Sequence, residues 1–354
     1  MLNAAGEIFV SNRYDQNALP VGNCIARKQR QAVELCLTGK SVLKECICKM
    51  KRREFLQSLS YGMTGCLFAS TEATYSGQIQ TQKQQVTLPY KIGIRQASLR
   101  NPENPSKTMI ANFDTFKVAR DIPGITGVEL QVASGRPNMR DLTVACRYKA
   151  EAHRWGLNIP STAGVWDHAV WGPHSKLDLL DSIRATEILG ARTMLVAFFK
   201  KDAPGMADKK SYVPVVSLLK EVAPRAQEAG IVLGLENSLS PKDNKDLVDR
   251  IEHPAVKVYY DPDNMFQYGH GKEAVPGIEL LGLSRICAVH VKNKGRTIQE
   301  TGRIDWAAAL QALTKIRYDG WLVFETQHKN HNQCKEMIQQ NITFIKEHFS
   351  PPPG

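Results

Sequence analysis

Ile231-Val-Leu-Gly-Leu-Glu236-Asn237, Val256-Lys-Val-Tyr-Tyr-Asp261, Ile286-Cys-Ala-Val-His290 and Gly320-Trp-Leu-Val-Phe-Glu325 are four short β-prone runs, each closing on a side chain a metal can use. The stretches between those closing residues are 24 to 34 residues long, enough for a loop, a helix and a second loop. In a barrel of alternating strands and helices, the carboxyl ends of all strands meet on one face. Glu236, Asp261, His290 and Glu325 would therefore converge. Three carboxylates and one imidazole form a ligand set for a divalent cation. A single polar strand end means little, because the chain there emerges into solvent. Four on consecutive strands would repel one another unless a cation sat between them.

Working back from these strands, the chain alternates strand-like and helix-like segments from about residue 88, the pattern of parallel βα units. Tyr90–Arg95 reads as the first strand and Ser106–Asp121 as the helix after it. Gly127–Val132 is the second, followed by a helix over Met139–Trp155 with Leu142, Cys146, Ala150 and His153 at helical spacing. Leu157–Pro160 supplies the third strand before a long loop, Ser161–Lys176. Leu177–Leu189 is a helix ended by Gly190, Thr193–Phe199 the fourth strand, and Tyr212–Ala229 a helix ended by Gly230. Asp305–Ile316 reads as an amphipathic helix before the last strand. The count of eight closes a (β/α)8 TIM barrel, α/β in class, over about residues 86–350.

Length and composition agree with one large soluble barrel plus an extension. Of 354 residues, 42 % are hydrophobic and 23 % charged. The formal net charge of +11 does not mark a nucleic-acid protein. Ten of the 46 basic residues, but only five of the 35 acidic ones, fall in residues 1–70. No dense basic run interleaved with aromatics follows. Cys24, Cys36, Cys46, Cys48 and Cys66 also lie in that leader, leaving Cys146, Cys287 and Cys334 as an odd trio that is no disulfide framework. Cys287 falls in an apolar strand and is expected to be a small core residue.

Met50-Lys51-Arg52-Arg53-Glu54-Phe55-Leu56 resembles the start of a twin-arginine export signal, with a weakly apolar stretch to Ala69. This makes residues 50–70 an expected signal, residues 1–49 an extension without fold content, and residues 71–85 a polar linker. Periplasmic or otherwise exported localisation is the corresponding expectation. Met63-Thr64-Gly65-Cys66 faintly resembles a lipoprotein box, which would place lipid on Cys66. No run of 18 apolar residues is present, so no transmembrane segment is expected.

The strand-end motifs Leu233-Gly-Leu-Glu236-Asn237, Tyr260-Asp261-Pro262-Asp263-Asn264, Val289-His290-Val291-Lys292-Asn293 and Phe324-Glu325 resemble a known group. So do Gly302-Arg-Ile-Asp305-Trp306, Tyr318-Asp319-Gly320-Trp321, Gln227-Glu-Ala-Gly230 and Ile188-Leu189-Gly190-Ala191. The group is the sugar-phosphate isomerase/epimerase set of xylose-isomerase-like barrels, which includes tagatose 3-epimerase, hydroxypyruvate isomerase and inosose dehydratase. The resemblance implies one divalent cation, Mn²⁺ first and Mg²⁺, Co²⁺ or Zn²⁺ otherwise, held by Glu236, Asp261, His290 and Glu325. It implies that Glu236 and Glu325 also move protons on opposite faces of a carbohydrate substrate, through an enediolate. Arg296, six residues past His290, stands where epimerases carry a substrate-binding arginine, and Lys292 shares the His290 strand face.

Two positions depart from that pattern. Asn264 stands where epimerases have a histidine, and Lys242 where they have a glutamate. Both fall on substrate-contacting positions and favour a more oxidised or acidic sugar. Glu129 in the second strand points either into the barrel or to the helix layer, and is a further candidate contact. His168, between Trp166 and Trp171 in the third loop, is another. The expected activity is a metal-dependent sugar isomerase or epimerase. A lyase acting on keto-inositols or 3-keto-glycosides is the alternative, and a carbohydrate-binding barrel without chemistry the remote one. An abasic-site nuclease of the endonuclease IV type would need further histidines, one at Asn264. A homodimer is left open.

Overall fold

The computed structural model of the protein describes residues 90–165, 172 and 174–352. The Arg52-Arg53 leader, Cys66, the linker, and Trp166, His168 and Trp171 of the third loop lie outside these residues. Eight parallel strands form a closed barrel in sequence order: β1 Ile92–Arg95, β2 Gly127–Gln131, β3 Ser161–Val165, β4 Thr193–Phe198, β5 Val232–Asn237, β6 Val256–Tyr260, β7 Ile286–Val291 and β8 Trp321–Phe324. β8 closes on β1 through Ile92↔Leu322 and Ile94↔Phe324. The helices are α1 Thr115–Arg120, α2 Leu142–Arg154, α3 Ser175–Leu189, α4 Lys209–Glu228, α5 Pro241–Ile251, α6 Pro262–Gln267, α7 Pro276–Arg285, α8 Trp306–Lys315 and α9 His331–His348. No described helix is long and apolar enough to cross a membrane.

Alternation along each strand divides the core in two. Ala163, Leu195, Ala197, Tyr259, Ala288 and Val323 pack together inside the barrel. Met194, Val196 and Phe198, the intervening residues of β4, belong to the much larger layer between strands and helices. Helix ends follow local chemistry. Asp141, Asp208, Ser240, Asp305 and Asn330 each accept a backbone N–H at the start of a helix. Gly190 ends α3 with φ +81°, a left-handed conformation that costs glycine little.

Three expectations need correction. The third strand is Ser161–Val165, not Leu157–Pro160, and it occupies the start of what reads as a loop. Ser-Thr-Ala-Gly is weakly β-prone, but tertiary packing demands small residues there: a Cβ on Gly164 would lie 2.6 Å from Met194 Sδ. The first helix is only Thr115–Arg120. Residues 106–114 are turns and bends with a β-bridge from Thr108 to Arg100, held where Gln96 Nε2 donates to Met109 O and Thr115 Oγ1, both at 2.9 Å. In α2 the buried face is Ala145, Tyr148 and Ala152, while Ala150 is exposed, because the large Tyr148 side chain takes the inner side; His153 lies on the helix surface, as expected of it.

Cys287 is half-buried, and burial pushes its thiol up to about 12, so it is an unreactive packing group. Its Sγ would stand 2.8 Å from a Cβ built on Gly234, with Tyr259 Cβ at 3.1 Å. Gly234→Ala should therefore overpack the barrel and cost about 1–3 kcal/mol. Thermal melts should show G234A lowered and the G234A/C287A pair partly restored. Equal stability of wild type and G234A would refute this packing account.

Candidate metal centre

Four strand ends deliver the cluster. Glu236 lies within β5, and the following Asn237 fixes the exit by accepting from Leu239 N and donating to Asn244 Oδ1, each at 2.8 Å. Asp261 follows β6 and caps α6, its Oδ1 accepting from Asn264 N at 3.1 Å. His290 lies within β7. Glu325 follows β8, its backbone N–H donating to Val291 O at 3.1 Å. One ligand atom from each of Glu236, Asp261, His290 and Glu325 falls within 4.8 Å of the others. His290 Nδ1 alone faces Glu236 Oε1 at 3.2 Å, Glu325 Oε2 at 3.5 Å and Asp261 Oδ2 at 3.8 Å. A ring nitrogen carries at most one proton, so it cannot satisfy three carboxylates.

Beneath the cluster, Glu129 points into the barrel and is 1 % exposed. It accepts from Arg95 Nε at 2.9 Å, and from Ser161 Oγ and Tyr259 Oη at 2.7 Å each. His290 Nε2 lies 3.3 Å from its Oε1. Burial pushes the Glu129 carboxyl up, but His290, then Arg95 and Ser161, bring it down to about 2. A carboxylate so held fixes the imidazole with its proton on Nε2 and leaves Nδ1 free to ligate. Burial likewise pushes His290 down, and Glu129 and Glu236 reverse this, placing it at about 9. For Asp261, burial and then Glu236 outweigh the lowering by Lys292 and leave it at about 6.

Two permanent cations complete the set. Arg95 Nη1 pairs closely with Glu325 Oε1. Lys292 Nζ lies 2.6 Å from both Asp261 Oδ2 and Glu325 Oε2. The Asp261 contact is an ion pair without hydrogen-bond geometry, so Asp261 Oδ2, like Glu236 Oε2, is buried with no hydrogen-bond partner. Four carboxylates (Glu129, Glu236, Asp261, Glu325) against Arg95 and Lys292 leave two negative charges uncompensated. A divalent cation with neutral His290 matches that deficit, whereas a proton on His290 supplies half of it. The donor set, with Glu236 Oε2 buried and unpartnered, fits a hard or borderline divalent ion.

Of the other expected site residues, the structure brings Lys292 and Asn264 to the cluster. Asn264 Nδ2 donates to Glu236 Oε1 at 2.8 Å, and its Oδ1 accepts from Lys292 Nζ at 3.0 Å. Arg296 is exposed and bonds Thr301 O at 3.1 Å, and Lys242 is exposed on the first turn of α5. His168 lies outside the described residues. Arg95, Ser161 and Tyr259 were not anticipated. Arg95 ends its strand as the ligands end theirs, and that signal was available. A cavity of about 300 Å³ lined by Thr193, Val232, Lys257 and Cys287 opens at the strand starts, away from this chemistry.

Because His290 carries a proton in the metal-free protein below about 9, cation uptake at pH 7 should release one proton. The Mn²⁺ affinity should then rise about tenfold per pH unit between pH 7 and 9. Stability that protonated His290 gives the metal-free fold is fully present below 6.5 and lost as the pH rises through about 9. Glu129→Gln should weaken Mn²⁺ binding about 10- to 100-fold. Calorimetric titration in buffers of different ionisation enthalpy reads both effects, and a pH-independent affinity would count against them.

No curated protein sequence matches the chain. Among solved structures it is similar to D-allulose 3-epimerase from Methylomonas sp., with 16 % identity, 73 % of this chain and 98 % of that chain covered, and a TM-score of 0.59. It is also similar to D-psicose 3-epimerase from Clostridium cellulolyticum H10, at 17 % identity, 73 % and 99 % coverage and a TM-score of 0.55. The 3-keto-D-glucoside 4-epimerase of E. coli gives 15 %, 73 %, 99 % and 0.55. At these identities the likeness is one of fold. The profile of the xylose isomerase-like TIM barrel matches residues 116–348, well over half of the chain, and the protein belongs to that family.

Proposed function

We propose that the protein is a divalent-metal-dependent isomerase or epimerase of a sugar or sugar derivative, working through an enediolate, with Mn²⁺ as the first-choice cation. The observation that carries this reading is the meeting of Glu236, Asp261, His290 and Glu325 ligand atoms within 4.8 Å at the carboxyl end of the barrel. When bound, the cation would polarise the substrate carbonyl. The chain's own groups supply the proton movements. Glu236 comes from β5 and Glu325 from the end of β8, so the two carboxylates approach from different sides of the mouth. One removes a proton from the carbon beside the carbonyl, and the other returns one to the opposite face or to the neighbouring carbon.

Glu325, with a side chain 17 % exposed, is the more accessible of the two. Asn264 and Lys292 form a bonded pair beside Glu236 and present an amide and an ammonium to substrate oxygens. Lys292 also favours a second reading. An ammonium 2.6 Å from Glu325 is placed to protonate an expelled oxygen, which would make the same site a lyase for keto-inositols or 3-keto-glycosides.

Incubation of the Mn²⁺-loaded protein in D₂O with ketoses, keto-inositols and 3-keto-glycosides should place deuterium at the carbon beside the carbonyl. Glu236→Gln and Glu325→Gln should each slow that exchange about 10²- to 10⁴-fold. The product then separates epimer, isomer and eliminated fragment. Absence of exchange with every one of these ketones would defeat the proposal.

A further inference from the structure

The helix that begins at Asp261 carries more of the mouth than its ligand. Asp261 caps the start of α6 and Tyr268 its end. The Tyr268 backbone N–H donates to Asn264 O at 3.0 Å, which sets Tyr268 one turn beyond Asn264. Burial pushes the Tyr268 phenol up against the hydrogen bond with Gln267, and Glu236 and Asp261 raise it further while Lys292 lowers it, so the group feels the charges of the cluster. Phe199 stacks on it, with centroids 5.5 Å apart and planes 24° from parallel. Phe199 is in turn the next inward position after Leu195 and Ala197 on the β4 line and packs against the barrel-interior cluster. Both rings are half-buried.

An aromatic ring anchored on the core at the edge of a polar cluster is an amphipathic surface. It packs the C–H face of a carbohydrate ring while leaving the hydroxyl edges to polar groups. A ketose must open its ring to expose its carbonyl and then offers no flat C–H face. A keto-inositol or a 3-keto-glycoside keeps its ring and its carbonyl together. We propose that Tyr268, backed by Phe199, is the platform for the ring of a cyclic polyol ketone, and that this pair selects such substrates over open-chain ketoses. The inference rests on the reading of the site given above and narrows its substrate class.

Saturation-transfer NMR and calorimetry on the Mn²⁺-loaded full chain, with 2-keto-myo-inositol and the open-chain ketose L-erythrulose as probes, test the platform directly. Phe199→Leu and Tyr268→Leu should each raise the keto-inositol Kd about tenfold, while Tyr268→Phe, which keeps the ring, changes it less than twofold. The erythrulose Kd should move less than twofold in all three variants, and Mn²⁺ binding should be unchanged. An unaltered keto-inositol Kd in both leucine variants, equal losses for the two probes, or no keto-inositol binding by the wild type would each overturn the platform. Deuterium exchange in the same samples separates the two ideas. Ring selectivity without exchange removes the enzymatic reading alone, and exchange without ring selectivity removes the platform alone.

Discussion

An uncompensated negative charge defines this site: three buried carboxylates and the half-buried Glu325 meet two permanent cations and one imidazole at the carboxyl end of the barrel. Charges buried out of reach of water are costly unless paired. The barrel can keep the imbalance only because each member is fixed by its own strand or cap. Glu236 and His290 are locked within strands, and Asp261 is turned by its capping bond to Asn264. The same rigidity that forbids the carboxylates from moving apart makes a divalent cation the natural counter-charge.

The support for this arrangement lies one layer deeper, in Glu129. Its four donors come from β1, β3, β6 and β7, so it ties half the strands of the barrel to the orientation of one imidazole. Arg95 extends the tie to Glu325, which stands at the opposite end of the ligand set in sequence. Loss of Glu129 would remove the buried acceptor that Ser161, Tyr259 and His290 share.

The two departures from the epimerase pattern acquire different meanings in three dimensions. Asn264 enters the cluster and links Glu236 to Lys292 by one hydrogen bond from its amide and one to it. Lys242 stays on the solvent side of α5. Arg296 also turns outward, and its carbonyl contact belongs to its own loop. The polar surroundings of the site thus rest on Asn264 and Lys292, with the aromatic pair Phe199 and Tyr268 at the edge.

Sequence by itself determined the barrel and the four side chains that meet at its mouth, because parallel strands must all end on the same face and a run closing on Glu, Asp or His announces that end. It did not determine β3, whose small residues are chosen by neighbours such as Met194 rather than by β propensity. Nor could it say which way Glu129 pointed. Strands of a parallel barrel are buried on both faces, so the two-residue alternation has no polar side to mark the interior. That direction, and with it the joining of Arg95, Ser161, Tyr259 and His290 around one carboxylate, was decided only when the sheet closed on itself.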